Sequence, residues 1–282
     1  RGRVTLGLDE ARAVEGVVEI FGHRLGRRLN GTDLLAREVE HAGQPVALVV
    51  ATSRHAARKA AALVEVTVAE KTPKLDPDRS RVVLGSALDE DGNPASEPEV
   101  SVEITLDLPA LDAGCVEPEG ALAVPGDLGI HVTTNGSCAG MERIAAAQAA
   151  DLLPEHVETR LVGAPPLLGG RAEPIVGPIA AAAAAKLWRP VKLCVDLAEG
   201  MGFHARRHAT RVELLLGASS DGMLTHLRAE VRGDAGPGGG HVVAAELGVV
   251  GGQVQPQHDL LGAAVAVLGD GLQALDGAGH AE

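Results

Sequence analysis

The sequence predicts an α+β protein in which short strands alternate with alanine-rich helices, and three observations carry that reading. Residues 43–69 have the pattern of a strand–helix–strand unit. Alanine-rich runs at 141–153 and 180–187 lie between short apolar segments. Residues 211–231 read as two strands around a polar turn.

The elements follow in order. Gly43-Gln44-Pro45 forms a turn ahead of an apolar strand from Val46 to Ala51. Ser53 is placed to cap a helix running to Leu63, whose alanines favour that conformation. Val64 to Val68 then alternates as a half-buried strand, with Arg54, Arg58 and Lys59 expected on the solvent side of the helix. Residues 72–98, rich in Pro, Asp, Glu and Gly, read as a linker. Strands are expected from Val100 to Leu108, around Gly120 to Val124, and from Gly129 to Thr134. A helix from Met141 to Leu153 is closed by Pro154. A strand at 157–163, a turn-rich segment from Ala164 to Pro174, a buried helix from Ala180 to Leu187 and a strand from Val191 to Val195 come next. Arg211 to Leu216 and Leu224 to Val231 form a hairpin around Ser219-Ser220-Asp221-Gly222. From Gly233 onward the chain is rich in Gly and Ala, and only Leu260 to Leu268 suggests a short helix.

Composition narrows the function. Hydrophobic residues make up 45%, as in a folded globular protein, but aromatic residues only 1%: Phe21, Phe203 and Trp188. Leu, Val and Ala must therefore build the core, and a loosely packed or weakly stable protein is expected. The net charge of −13 repels phosphate backbones and argues against nucleic acid as the main partner. No apolar run is long enough for a membrane span, and the start, Arg1-Gly2-Arg3-Val4-Thr5-Leu6, lacks the apolar core of a signal peptide. The first residue is not Met, and the chain is expected to begin inside a longer one. Three widely spaced cysteines, Cys115, Cys138 and Cys194, fit a reduced, cytoplasmic protein better than a disulfide scaffold.

Taken together, the motifs resemble the large subunit of the xanthine dehydrogenase and aldehyde oxidase family, in particular bacterial purine-hydroxylase subunits. Residues 43–51 and the Ala/Arg helix after them are similar to the family's α/β hammerhead domain. Glu117-Pro118-Glu119-Gly120-Ala121-Leu122-Ala123-Val124-Pro125 is similar to the start of its first cofactor-binding domain. Thr134-Asn135 stands where the family has Thr-Gln. Leu153 to Val157, Arg189-Pro190-Val191-Lys192, and His204 to Arg211 followed by Ser220-Asp221-Gly222 keep the family order, and Asp234-Ala235-Gly236 closes the likeness. The resemblance implies a hammerhead-like domain at 1–75, a linker at 76–98, part of a molybdopterin-binding domain at 99–235, and a Gly/Ala-rich tail of uncertain structure at 236–282.

The resemblance also implies a molybdenum–molybdopterin cofactor, its cytosine dinucleotide form included, that hydroxylates a purine or aldehyde carbon with oxygen from water. Electrons would leave through 2Fe-2S centres to FAD on partner subunits. The family's second cofactor-binding domain and catalytic glutamate have no counterpart after about residue 235. The expected catalytic set is therefore empty, and a further chain would have to complete the pocket. Alone, the chain is expected to be inactive. The competing expectation is a non-catalytic remnant, or a scaffold for assembly that keeps the fold; an unrelated α/β binding module would require the motif series to be coincidence.

The candidate site residues follow from the same likeness. Gly163-Ala164-Pro165-Pro166-Leu167-Leu168-Gly169-Gly170-Arg171 resembles the family's glycine-rich cofactor loop. Leu168 stands for the family Phe, Gly169, Gly170 and Arg171 match, and Pro165 and Pro166 replace two glycines, removing two N–H donors. Glu173 is a weak candidate for the substrate-orienting acid, one place beyond its family position. Asn135 replaces the family Gln whose amide bonds near the molybdenum ligands. The bland alternatives are a Pro/Gly loop after a strand, and an Asn135-Gly136 turn. His204 and His208 lack a third ligand and flank Arg206 and Arg207, so a structural segment is expected rather than zinc. Gly236-Pro237-Gly238-Gly239-Gly240 lacks the Lys-Ser/Thr of a phosphate-binding loop and reads as flexible.

Overall fold

In the computed structural model the described residues are 1–72, 83–91, 98–112, 114, 117–136, 138–163, 173–203, 208–234 and 241–250. The chain divides into two compact units. One comprises Arg1–Pro73 and Asp112–Arg207, the other Lys74–Leu111 and His208–Glu282.

The first unit begins with strand β1 (Gly2–Gly7), helix α1 (Asp9–Arg12), strand β2 (Val17–Phe21), strand β3 (Glu38–Val39), strand β4 (Leu48–Ala51), helix α2 (Arg54–Ala61) and strand β5 (Glu65–Glu70). β1 pairs antiparallel with both β3 and β5, and β2 pairs antiparallel with β4. The expected strand–helix–strand unit is present, with its two strands in separate sheets. The Ser53 hydroxyl oxygen accepts a hydrogen bond from the Ala56 N–H at 3.2 Å, as expected of an N-cap. Ala56 and Ala60 are buried, while Arg54, Arg58 and Lys59 face solvent. β5 departs from the half-buried expectation. It is an edge strand paired only with β1, and Val66 is 49% exposed.

The rest of this unit is strand β8 (Gly120–Gly126), strand β9 (Gly129–Thr134), helix α3 (Ala139–Ala150), strand β10 (Val157–Leu161), helix α4 (Val176–Leu187), strand β11 (Val191–Cys194) and helix α5 (Leu197–Phe203). The sheet order is β10-β9-β8-β11; β9 and β10 run parallel and the other pairs antiparallel. α4 packs against α3 and against β8, β9 and β11 of this sheet, with every residue from Val176 to Ala184 buried. Alanines at 180–184 let the helix approach both neighbours closely, so small side chains fill a core with no fully buried aromatic ring, Phe21 and Phe203 packing half-buried against it. Leu25, Leu34 and Leu35 join the same core. Trp188, in contrast, is 65% exposed. It occupies a left-handed position (φ 50°) that ends α4.

α3 ends at Ala150 rather than running to Leu153. Asp151 adopts a left-handed conformation (φ 59°), and the Leu152 N–H bonds the Ala147 carbonyl at 2.9 Å. That turns the chain out of the helix by the geometry glycine usually supplies.

The second unit is a five-stranded sheet. Its strands are β6 (Val83–Asp91), β7 (Val100–Leu108), β12 (Thr210–Ala218), β13 (Leu224–Asp234) and β14 (His241–Val250), in the order β6-β14-β13-β12-β7. The β12–β13 hairpin turns at the expected Ser219–Gly222, with Gly222 at φ +86°. Two strands occupy segments read otherwise from composition. β6 lies inside the 76–98 stretch taken as linker and pairs parallel with β14, and β14 lies inside the 236–282 tail of uncertain structure. β6 ends in Asp89-Glu90-Asp91, and a charged strand at a sheet edge has the composition of a loop. Leu260 to Leu268 lies outside the described residues.

Candidate cofactor-binding site

Parallel strands β9 and β10 end side by side, with Thr134 opposite Leu161, and the Val162 N–H bonds the Thr134 carbonyl at 2.9 Å. The segments leaving them therefore emerge together: 135–138 leads into α3, and 162–175 leads into α4. The carboxyl end of parallel strands is where α/β sheets commonly place ligands. Neither helix carries a side-chain N-cap, so their first-turn N–H groups are not taken by a side chain of the preceding residue.

The segment after β9 is tightly held. Thr134 is 2% exposed; its hydroxyl donates to the Gly120 carbonyl at 3.1 Å and accepts from the Gly136 N–H at 3.2 Å. Asn135 Oδ1 accepts from the Gly120 N–H, and Nδ2 donates to the Pro118 carbonyl, both at 3.0 Å. The amide in the family Gln place thus clamps residues 118–120 onto the end of β9. Leu168, Gly169, Gly170 and Arg171 lie outside the described residues. Glu173 is described and pairs with Arg28 at 2.8 Å, so its carboxylate is engaged by the N-terminal part of the chain. His204 lies outside the described residues and His208 is exposed; among the described residues no group of three or more His, Cys, Asp or Glu could hold a metal.

A buried carboxyl that the motif reading passed over sits between the two helix starts. Glu142, in the first turn of α3, is 3% exposed, and its Oε2 has no hydrogen-bond partner among the described residues. A Cβ at Gly136 would fall 2.0 Å from Oε1, and one at Gly177, in the first turn of α4, 2.3 Å from Oε2. Only glycine at both places leaves room for this side chain. Burial, and secondarily the charge of nearby buried Glu119, raises the Glu142 pKa from 4.5 to about 7. Around neutrality this acid is substantially protonated, so it adds little negative charge beside two helix N-termini that have no side-chain N-cap among the described residues. The sequence did hold a signal: Glu142 shares the i, i+3, i+4, i+7 stripe with buried Ala145, Ala146 and Ala149.

A pterin that carries phosphate fits what is described here. Backbone N–H groups at two helix starts suit an anion, and the buried Glu142 carboxyl beside them is held toward its neutral form. Comparisons with known proteins point the same way. Residues 81–251 match the family described as molybdopterin cofactor-binding domain. Residues 4–72 match the aldehyde oxidase and xanthine dehydrogenase a/b hammerhead domain. The chain belongs to the aldehyde oxidase and xanthine dehydrogenase family and is a divergent molybdopterin-binding member of it.

Among individual relatives, a probable xanthine dehydrogenase subunit from Bacillus subtilis is 27% identical over 252 residues, covering 80% of this chain and 34% of its own length. Aldehyde oxidoreductase from Desulfovibrio gigas shares the fold with a TM-score of 0.70 at 21% identity, over 80% of this chain and 29% of that one. Quinoline 2-oxidoreductase from Pseudomonas putida does so with a TM-score of 0.70 at 20% identity, over 80% of this chain and 33% of that one. The chain spans about a third of the length of the curated relatives it matches. No helix among the described residues is long and apolar enough to cross a membrane.

Proposed function

We propose that this chain forms one wall of the molybdenum–molybdopterin site of a xanthine dehydrogenase-like hydroxylase acting in the cytoplasm. The observation that carries the reading is the family match over 81–251, which spans the paired ends of β9 and β10 and the starts of α3 and α4. In this reading Asn135, Leu168, Gly169, Gly170 and Arg171 line the cofactor, as molybdopterin or its cytosine dinucleotide form. The helix starts receive its phosphate. When bound, the group supplies the centre at which a purine or aldehyde carbon is hydroxylated with oxygen from water.

The chain's own residues position and exclude. Asn135 and Thr134 fix the segment that faces the cofactor, and Glu142 fills the gap between Gly136 and Gly177 and keeps water out of it. Glu173 orients substrate only where it leaves Arg28. The rest of the pocket, with its general base, comes from another polypeptide or another part of the protein, and subunits carrying FAD and 2Fe-2S receive the electrons.

A second reading, a non-catalytic scaffold that retains the fold, draws support from the engaged groups: both amide ends of Asn135 and the carboxylate of Glu173 already have protein partners. Metal analysis separates the two. The chain, produced with its candidate partner subunits in a host that makes molybdopterin, retains molybdenum through purification under the first reading. Molybdenum absent from every such combination removes it.

A further inference from the structure

The unit comprising Arg1–Pro73 and Asp112–Arg207 also contains a cavity of about 560 Å³ on its N-terminal segment. Its walls carry Arg3, His23, Arg24, Arg27 and Arg37 against a single acid, Asp33. Such a concentration of cations is unexpected on a chain of net charge −13. Arg24 and Arg27 also line an adjoining cavity of about 250 Å³ that adds Lys186, so the positive surface continues past them.

The arginines stand on a fixed platform. Leu25, Leu34 and Leu35, at 1%, 2% and 1% exposure, anchor the loop that carries them. Gly26, between Leu25 and Arg27, is pressed so closely onto α3 that a Cβ there would lie 2.3 Å from the Ala149 carbonyl oxygen. The Leu34 N–H bonds the Gly26 carbonyl at 3.0 Å, and the Val4 N–H bonds the Arg37 carbonyl at 2.9 Å, which ties the loop to β1 and hence to Arg3. Among the described residues the guanidinium groups of Arg3, Arg24 and Arg37 have no ion-pair partner, whereas neighbouring Arg28 pairs with Glu173. Asp33 in the wall and Glu38, which feels the charge of Arg3, leave four guanidinium groups only partly balanced; the excess positive charge repels itself, and a multivalent anion relieves that repulsion.

We propose that this groove is a binding site for an oligophosphate, meaning two or more linked phosphates. Four forked guanidinium groups match phosphate oxygens and exceed what one monovalent carboxylate can neutralise. Neither Phe nor Trp lines either cavity, so there is no broad platform for stacking a base, and the phosphates are the recognised part. The proposal is independent of the molybdopterin reading, because the groove lies on the hammerhead segment and needs no cofactor.

Calorimetric titration of the full chain with inorganic tripolyphosphate, at low and then higher salt, tests it. Saturable binding that weakens with salt is expected, together with much weaker binding of orthophosphate. Arg24→Gln and Arg37→Gln, separately, lower tripolyphosphate affinity by about tenfold each, an ordinary loss for one charge-assisted contact. Arg54→Gln, on the exposed side of α2, leaves it unchanged. A thermal shift of the wild type on adding tripolyphosphate gives a readout that does not depend on variants folding. No binding by the wild type, undiminished binding by both groove variants, equal loss from Arg54→Gln, or tighter binding of poly-glutamate of matched charge would overturn the assignment. The last result would make the groove a surface for an acidic protein instead.

Discussion

Replacing Glu142 by Gln tests the geometry of the candidate site without any cofactor. The wild-type carboxyl has a folded-state pKa of about 7 against 4.5 for the ordinary group, so the native protein holds this proton more tightly than the unfolded chain. The resulting stability is fully present below about pH 4.5 and is lost as the pH rises through about 7. A shift of this size corresponds to about 3 kcal/mol in all, of which about 2.5 kcal/mol disappears between about pH 5 and about pH 8. The amide of the Glu142→Gln variant keeps the shape of the protonated acid and cannot ionise. Urea denaturation of both proteins across that range should show wild-type stability falling relative to the variant by about 2 to 3 kcal/mol. Glu119→Gln should flatten the wild-type profile only in part, because burial is the larger cause and the Glu119 charge the smaller. Parallel profiles for wild type and Glu142→Gln would show that Oε2 is not buried in a dry gap between Gly136 and Gly177, and the packing argument for the two helix starts would fail.

Other substitutions probe the framework around that site. Ser53→Ala should cost about 1 kcal/mol in thermal or urea unfolding, since it removes the one side-chain bond capping α2. Gly43→Ala and Gly31→Ala both place a side chain at positive φ, at +87° and +78°, but only the Cβ at 43 meets backbone, 2.3 Å from the Gly202 carbonyl oxygen on α5. Gly31→Ala should therefore cost about 1 to 2 kcal/mol from conformation alone, and Gly43→Ala at least about 1 kcal/mol more, from overpacking; equal losses would refute the docking of the 43–45 turn on α5. Asn135→Ala should lower the stability of the cofactor-free chain by about 2 kcal/mol, one for each hydrogen bond to residues 118 and 120. No loss in the cofactor-free chain would mean that the amide is free to serve a ligand.

Much of the fold was legible because local chemistry and tertiary packing agree. The Ser53 cap, the 219–222 turn and the alanine run of α4 each specify a local conformation that the whole structure also uses. The segments that misled are those in which pairing with distant chain supplies the order. β6 pairs with β14 across more than a hundred residues of sequence, and neither has the clean alternation of a half-buried strand. Val66 alternates with polar neighbours in the sequence and still faces solvent, because alternation says which side a residue takes and not whether anything covers that side.

The site was read through glycines and an amide, residue types that mark close backbone approach. Glu142 escaped because a single carboxylate in an alanine-rich helix looks like surface until its helical stripe is drawn. Its value to the fold comes from Gly136 and Gly177, which stand at the starts of two different helices. The Asn135-Gly136 turn expected as the bland alternative is not formed: both residues are irregular, Gly136 has no positive φ, and the Asn135 amide instead bonds residues 118 and 120.

The most direct test is the pterin content of the chain purified with its candidate partner subunits, measured by fluorescence after oxidative release, for wild type and Gly170→Val with matching circular dichroism. Pterin and chain in equal amounts for wild type, and little pterin in the variant, is the predicted result. Pterin missing from the wild-type assembly, or retained equally by the variant, would contradict the assignment of the β9–β10 edge as the cofactor's wall.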